Sequence, residues 1–172
     1  MEIGILSDTH NNLKNLQKAL ALFQARGVRV LIHCGDLTGV EVARAMAGFQ
    51  VICVLGNGDI ASGEIRDTLL AQNPDNYVGL EYTGRLGGGR LGGVRIAAAH
   101  GHLPGVVDEL THSGQYDYVF KGHSHRHQDE RIGFTRLINP GALGGLHREP
   151  RQICSLDLDS GKAEFIPVED TP

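Results

Sequence analysis

The sequence predicts a layered α/β domain, and three observations lead there. Short runs rich in Val, Ile and Leu alternate with longer stretches of helical period, as strands and helices do when stacked in layers. Nearly every apolar run ends in a polar motif rather than a plain turn. At 172 residues, with 41% apolar and 21% charged side chains, the chain is expected to form one domain over residues 1–172 with a buried core.

The elements follow in order. A strand is read at Ile3 to Leu6. The stretch NNLKNLQKALALFQARG then sets Leu13, Leu16, Leu20 and Phe23 on one helical face, with Asn11 or Asn12 to cap its start and Gly27 to end it. Val28 to Cys34 and Val51 to Leu55 read as strands, with a helix over Val40 to Ala47 between them. ASGEIRDTLLAQNP is a helix stopped before Pro74. LEYTGRLGGGRLGGVRIAAA is two strands joined by a glycine-rich turn. Gly87, Gly88 and Gly89 make no phosphate loop, because no Gly-Lys-Ser/Thr follows and no helix opens there. LPGVVDELTHSG is a short helix and YDYVF a strand. FTRLIN and QICSLDLDSGKAEFIPV supply further strands, with Asp159-Ser160-Gly161 as a hairpin turn.

Composition excludes several classes. A formal charge of −4 lacks the basic surface of a general nucleic-acid or anionic-membrane binder, so no stable nucleic-acid binding is expected. Cys34, Cys53 and Cys154 are odd in number and form no CxxC pair, which reads as buried thiols in a reducing compartment. MEIGILSD carries neither a basic leader nor a long apolar segment, so the expected location is the cytoplasm, with no membrane insertion.

The chemistry lies at the ends of the apolar runs. These lead into Asp8 and His10, Asp36, Asn57 and Asp59, His100 and His102, His123 and His125, and Asn139. Loops beyond the carboxyl ends of strands are where open α/β sheets place ligands. If the ends converge, aspartates and imidazoles meet with no Lys or Arg in the motifs to neutralise them, and cations resolve that conflict. In VFKGHSHRHQD three histidines stand at spacing two, which would put them on one face of an extended segment, either to bind metal or as a wet strand edge.

This ordered set resembles the calcineurin-like metallophosphoesterase superfamily, whose pattern is D-x-H, GD, GN, a lone His and GH-x-H. Here the motifs stand as Asp8-Thr9-His10, Gly35-Asp36, Gly56-Asn57, His100 and Gly122-His123-Ser124-His125. The small size, SDTH near the start and the late NPG look most like the compact YfcE-type phosphodiesterases of bacteria and archaea. The resemblance implies a four-layer α/β/β/α sandwich, two mixed sheets flanked by helices. It also implies two divalent metal ions, one held by Asp8, His10 and His125, the other by Asn57, His100 and His123, with Asp36 bridging. Mixed imidazole and oxygen donors suit manganese, taken first, with nickel, zinc or iron as alternatives. Two such ions, roughly 3.5–4 Å apart, would acidify a water whose hydroxide attacks phosphorus in line, on a small phosphodiester substrate. Asp36 and Asn57 therefore enter as catalytic as well as metal-binding residues.

The chain departs from the pattern at Gly58, where many relatives carry a histidine that protonates the leaving group and small YfcE-type members often carry cysteine. His102 is the candidate to replace it, against the plain reading of a solvated loop histidine. Asp59 either orients a ligand histidine or caps the following helix. Asn12 matches an asparagine of the family's SDTHGN and is a phosphate contact or a helix cap, while Asn11 replaces that motif's glycine. His33 reads as a packed, hydrogen-bonded histidine. His127 reads as exposed or, second, as a substrate contact, and His112 and His147 read as surface residues. The competing function is a non-catalytic scaffold similar to the small retromer subunit. Completeness of the ligand set weighs against it, and a histidine-rich metal store would not need ligands spread over five strand ends. Pairing between copies through the Leu- and Gly-rich hairpin leaves a homo-oligomer open.

Overall fold

The computed structural model describes residues 1–87, 92–146 and 149–168. His147 and the hairpin tip with Gly88 and Gly89 lie outside them. The strands are β1 (Glu2–Leu6), β2 (Val30–His33), β3 (Gln50–Val54), β4 (Tyr77–Gly79), β5 (Glu81–Leu86), β6 (Val94–Ala99), β7 (Tyr118–Phe120), β8 (Gln128–Ile132), β9 (Thr135–Asn139), β10 (Gln152–Asp157) and β11 (Ala163–Pro167). The helices are α1 (Leu13–Ala25), α2 (Val40–Ala45), α3 (Ser62–Gln72) and α4 (Val106–His112). One sheet runs β11-β10-β1-β2-β3-β4 and the other β5-β6-β7-β9-β8. Both are mixed: β1, β2, β3 and β4 run parallel, while β10 pairs antiparallel to β1 with Gly4 opposite Ser155.

Alternation along the strands makes the layers. Ile3, Ile5, Ile32, Ile52 and Val54 meet Ile96, Ala98, Phe120 and Ile138 in the core between the sheets. The opposite face of the first sheet, with Leu31, Val51 and Cys53, packs under Leu16, Leu20 and Phe23 of α1, Val42 of α2 and Ile65 of α3. Ala97, Val119 and Leu137 pack against Leu110 of α4 on the far side. The result is the expected four-layer α/β/β/α sandwich, because each sheet buries both faces.

Local signals hold α1 in place. Asn12 caps it by accepting a hydrogen bond from the Asn15 N–H, at 3.1 Å. Two strands escaped the sequence reading. β4 has only three residues, and β8 (QDERI) is a charged sheet edge without apolar alternation. Among the described residues no helix is long and apolar enough to cross a membrane.

Candidate metal centre

The strand ends converge. Asp8, His10 and His125 bring their ligand atoms within 4.8 Å of one another, and Asp8, Asp36 and His100 do the same. Either set can hold a metal ion. Asp8 Oδ1 lies 3.4 Å from His125 Nε2 and 3.9 Å from His10 Nε2, and 4.0 Å from His100 Nε2. Asp36 spans the two sets, with Oδ2 3.7 Å from His10 Nε2 and Oδ1 3.5 Å from His100 Nε2. Asp8 therefore stands in both sets, where the sequence reading gave it to one. His123 belongs to neither: its side chain is exposed, with its ring 5.0 Å from that of His100. Asn57 is exposed on the loop after β3, the loop that also reaches Asp36.

The backbone that aims these groups is unusual. Asp8, His10, Asp36, His123 and His125 all have left-handed φ, between +43° and +68°. His123 and His125 do not share one face of an extended segment. β7 ends at Phe120, and His123 and His125 sit in a loop with φ of +68° and +60°, so no strand face presents them. His123 stands beside His100, while His125 faces His10 and Asp8. The loop is held by the His123 N–H donating to Asp8 Oδ2 at 3.0 Å and by buried Asn139, whose Nδ2 donates to Gly122 O and Ser124 Oγ. Gly122 has to be glycine, since a Cβ there would collide with Ser7 Oγ and lie 2.8 Å from Asp8 Oδ2.

Electrostatics give the test of whether cations fit. Asp8 Oδ1 and His100 Nε2 are buried without a hydrogen-bond partner among the described residues. His100 Nδ1 donates to Cys34 O at 2.6 Å, which leaves the Nε2 lone pair facing two carboxylates. Lone pairs crowded together in a dry site are costly unless a cation lies between them. Burial raises the pKa of Asp36, but His100 and the Gly58 N–H outweigh it and hold the carboxyl at about 2. Burial lowers His100, yet Asp36 and Asp8 leave its pKa above the ordinary value. The pocket thus favours positive charge, and its donor set of imidazole and carboxylate fits divalent metal.

His102 is half-buried, its Nδ1 without a hydrogen-bond partner among the described residues, and its ring lies 5.4 Å from His100 and 6.5 Å from His123. His33 is fully buried and neutral, its pKa pushed down to about 3 chiefly by burial. Its Nδ1 accepts from the Gly35 N–H, so Nε2 donates to Thr9 Oγ1 at 2.8 Å, tying the first two motif loops together. Asp59 neither orients a histidine nor caps α3, whose N-cap is Ala61. It accepts instead from three backbone N–H groups. Asn11 has φ +58°, the conformation that glycine serves best and asparagine tolerates. His127 and His112 are exposed. Sequence reasoning missed Leu143 and Gly144, whose N–H groups brace Ser7 O and Asp8 O; no polar side chain marks them.

Two face-packed mixed sheets with a carboxylate–imidazole centre at their strand ends define a metallophosphoesterase fold. Residues 1–161 match the calcineurin-like phosphoesterase superfamily domain, and the chain belongs to that superfamily. It is 30% identical to a phosphodiesterase of Methanocaldococcus jannaschii, across 98% of this chain and 100% of that protein. A solved archaeal phosphodiesterase superposes with a TM-score of 0.89 at 29% identity, covering 97% of this chain and 99% of the other. The phosphoesterase YfcE of E. coli shares the fold at 20% identity and a TM-score of 0.65, covering 98% and 100%.

Proposed function

We propose that this chain is a metal-dependent phosphodiesterase working on small phosphodiesters through two divalent ions, manganese first. Asp8, His10 and His125 would hold one ion and Asn57, His100 and His123 the other, with Asp36 between them. One observation carries the reading: Asp8 Oδ1 and His100 Nε2 are buried 4.0 Å apart, with no hydrogen-bond partner for either among the described residues. Two ions bound there would supply Lewis acidity toward the phosphate oxygens and toward water. The residues do the rest. Asp36 offers one oxygen to each side, His100 is fixed in one tautomer by Cys34 O, and His33 keeps the Asp8 and Asp36 loops in register. Likeness to a phosphodiesterase across the whole chain favours catalysis over a binding-only scaffold. The three buried free thiols support a cytoplasmic location, and residues 1–172 are taken as one domain.

His102 would protonate the departing oxygen where Gly58 cannot. Burial first, then His100 and His123, lower its pKa from the ordinary value. Esters with good leaving groups need it least. His102→Ala is therefore expected to slow alkyl phosphodiesters at least about 10-fold more than activated aryl ones; equal losses on both would remove it from the role.

The decisive experiment strips the protein of metal and reloads it with Mn²⁺, Ni²⁺ or Zn²⁺. Bound ions are counted, and chromogenic phosphodiester and phosphomonoester are assayed. Two ions per chain and diester hydrolysis are expected, with Asp36→Asn and His123→Ala each losing about 100-fold or more. Two bound ions with no hydrolysis under any metal would favour the scaffold.

A further inference from the structure

We infer that Asp59 is the positioning residue for Asp36: its carboxylate locks two strand-end loops together and so fixes the group proposed to join the two ions. The inference rests on the dinuclear reading and goes one step past it. Asp59 is only 6% exposed. Its Oδ2 accepts from the Asp36 N–H at 3.0 Å and from the Gly56 N–H at 2.8 Å, and its Oδ1 accepts from the Thr38 N–H at 2.8 Å. Gly56 lies in the loop after β3, whereas Asp36 and Thr38 lie in the loop after β2. One carboxylate thereby joins neighbouring strand ends.

The grip is returned. The Gly58 N–H donates to Asp36 Oδ1 at 2.7 Å. Asp36 is thus held at its backbone by the Asp59 side chain, and at its side chain by the backbone one residue before Asp59. The need for this is visible in the dihedrals. Asp36 (φ +56°) and Thr38 (φ +65°) occupy left-handed backbone, which L residues adopt only at a steric cost, most of all a β-branched one. Asp59 places charge-assisted hydrogen bonds on those two residues. Without them the loop relaxes toward ordinary φ, and Asp36 leaves the narrow position from which one oxygen faces His10 and the other His100.

The test compares apo wild type, Asp59→Asn, Asp59→Glu and Asn76→Ala, titrated with Mn²⁺ by calorimetry and followed by electron paramagnetic resonance and steady-state kinetics. Asparagine is nearly isosteric but turns an NH₂ toward backbone donors. The Asn76 amide joins Val51 N–H to Leu69 O, so its loss is a structural control. Asp59→Asn is expected to weaken the second manganese about 10–100-fold, erase the exchange-coupled spectrum, and lower kcat with little change in KM. Asp59→Glu, keeping both acceptor oxygens, recovers part of the affinity. Asn76→Ala lowers Tm and leaves both affinities alone. If Asp59→Asn does not fold, Asp59→Ser takes its place. Wild type binding two ions while the folded Asp59 variant matches it in affinity, spectrum and kcat would overturn the inference. An equal affinity loss in Asn76→Ala would reduce Asp59 to a structural role. Wild type that never binds two ions would instead remove the parent reading.

Discussion

Among the described residues, seven that are not glycine have left-handed φ, and five of them are the groups read from the sequence as ligands, Asp8, His10, Asp36, His123 and His125. Strain of this kind gathers where surrounding structure over-determines a functional group. The identities were legible, because imidazoles and carboxylates at the ends of apolar runs stand out. Their directions were not, since a left-handed turn leaves no mark in residue spacing. Asp59 was misread for the same reason: its partners are backbone N–H groups brought near only by the fold. Gly58 carries a prediction at this scale. A Cβ there would meet Thr38 Cγ2 at 3.0 Å and Asp36 Oδ1 at 3.1 Å. Restoring the family's histidine with Gly58→His should cost about 1–3 kcal/mol by overpacking, and adding Thr38→Gly should recover part of it in thermal melts. A double variant no more stable than the single one would clear Thr38 as the obstacle.

At the scale of elements, the 3.6 period of α1 and the Val/Ile runs of β1, β2 and β3 were readable because each buries a consistent face. β8 was not, since an edge strand of Gln, Asp, Glu and Arg has no such face. Asn12→Ala should lower stability by about 1 kcal/mol through the lost cap, measured as a shifted urea midpoint with unchanged slope. β8 also makes a pH prediction. Asp129 pairs with Arg136 of β9 through two hydrogen bonds of 2.7 Å, and this pairing holds its pKa below the ordinary value. Its contribution to stability is therefore complete above the unfolded pKa, about 4, and disappears as pH falls through the lower folded value. Asp129→Asn should flatten that part of the acid-unfolding curve; an unaltered curve would mean the pair is too solvated to matter.

For the whole molecule, alternation of strands and helices pointed to layers, but the count of four came with the family resemblance. Which strands pair depends on distant partners such as β1 with β10, and no local pattern encodes that. Phe120 fills the core between the sheets, so Phe120→Ala should cost about 3–5 kcal/mol in chemical denaturation. Cys34, Cys53 and Cys154 are buried, and burial pushes their thiols up, Cys154 to about 12. A thiol reagent should label none of them in the native protein and all of them after unfolding. Rapid native labelling would contradict the packing.

The pairing of β1 with β10 also sets a timetable. Ile5 finds its neighbour Ile32 early in synthesis, but its other neighbour, Cys154, leaves the ribosome almost 150 residues later. Until then the strand that leads into Asp8 is an open, apolar edge, the kind that invites pairing with the wrong chain. A nascent chain of this protein would therefore lean on chaperones until nearly its whole length has emerged.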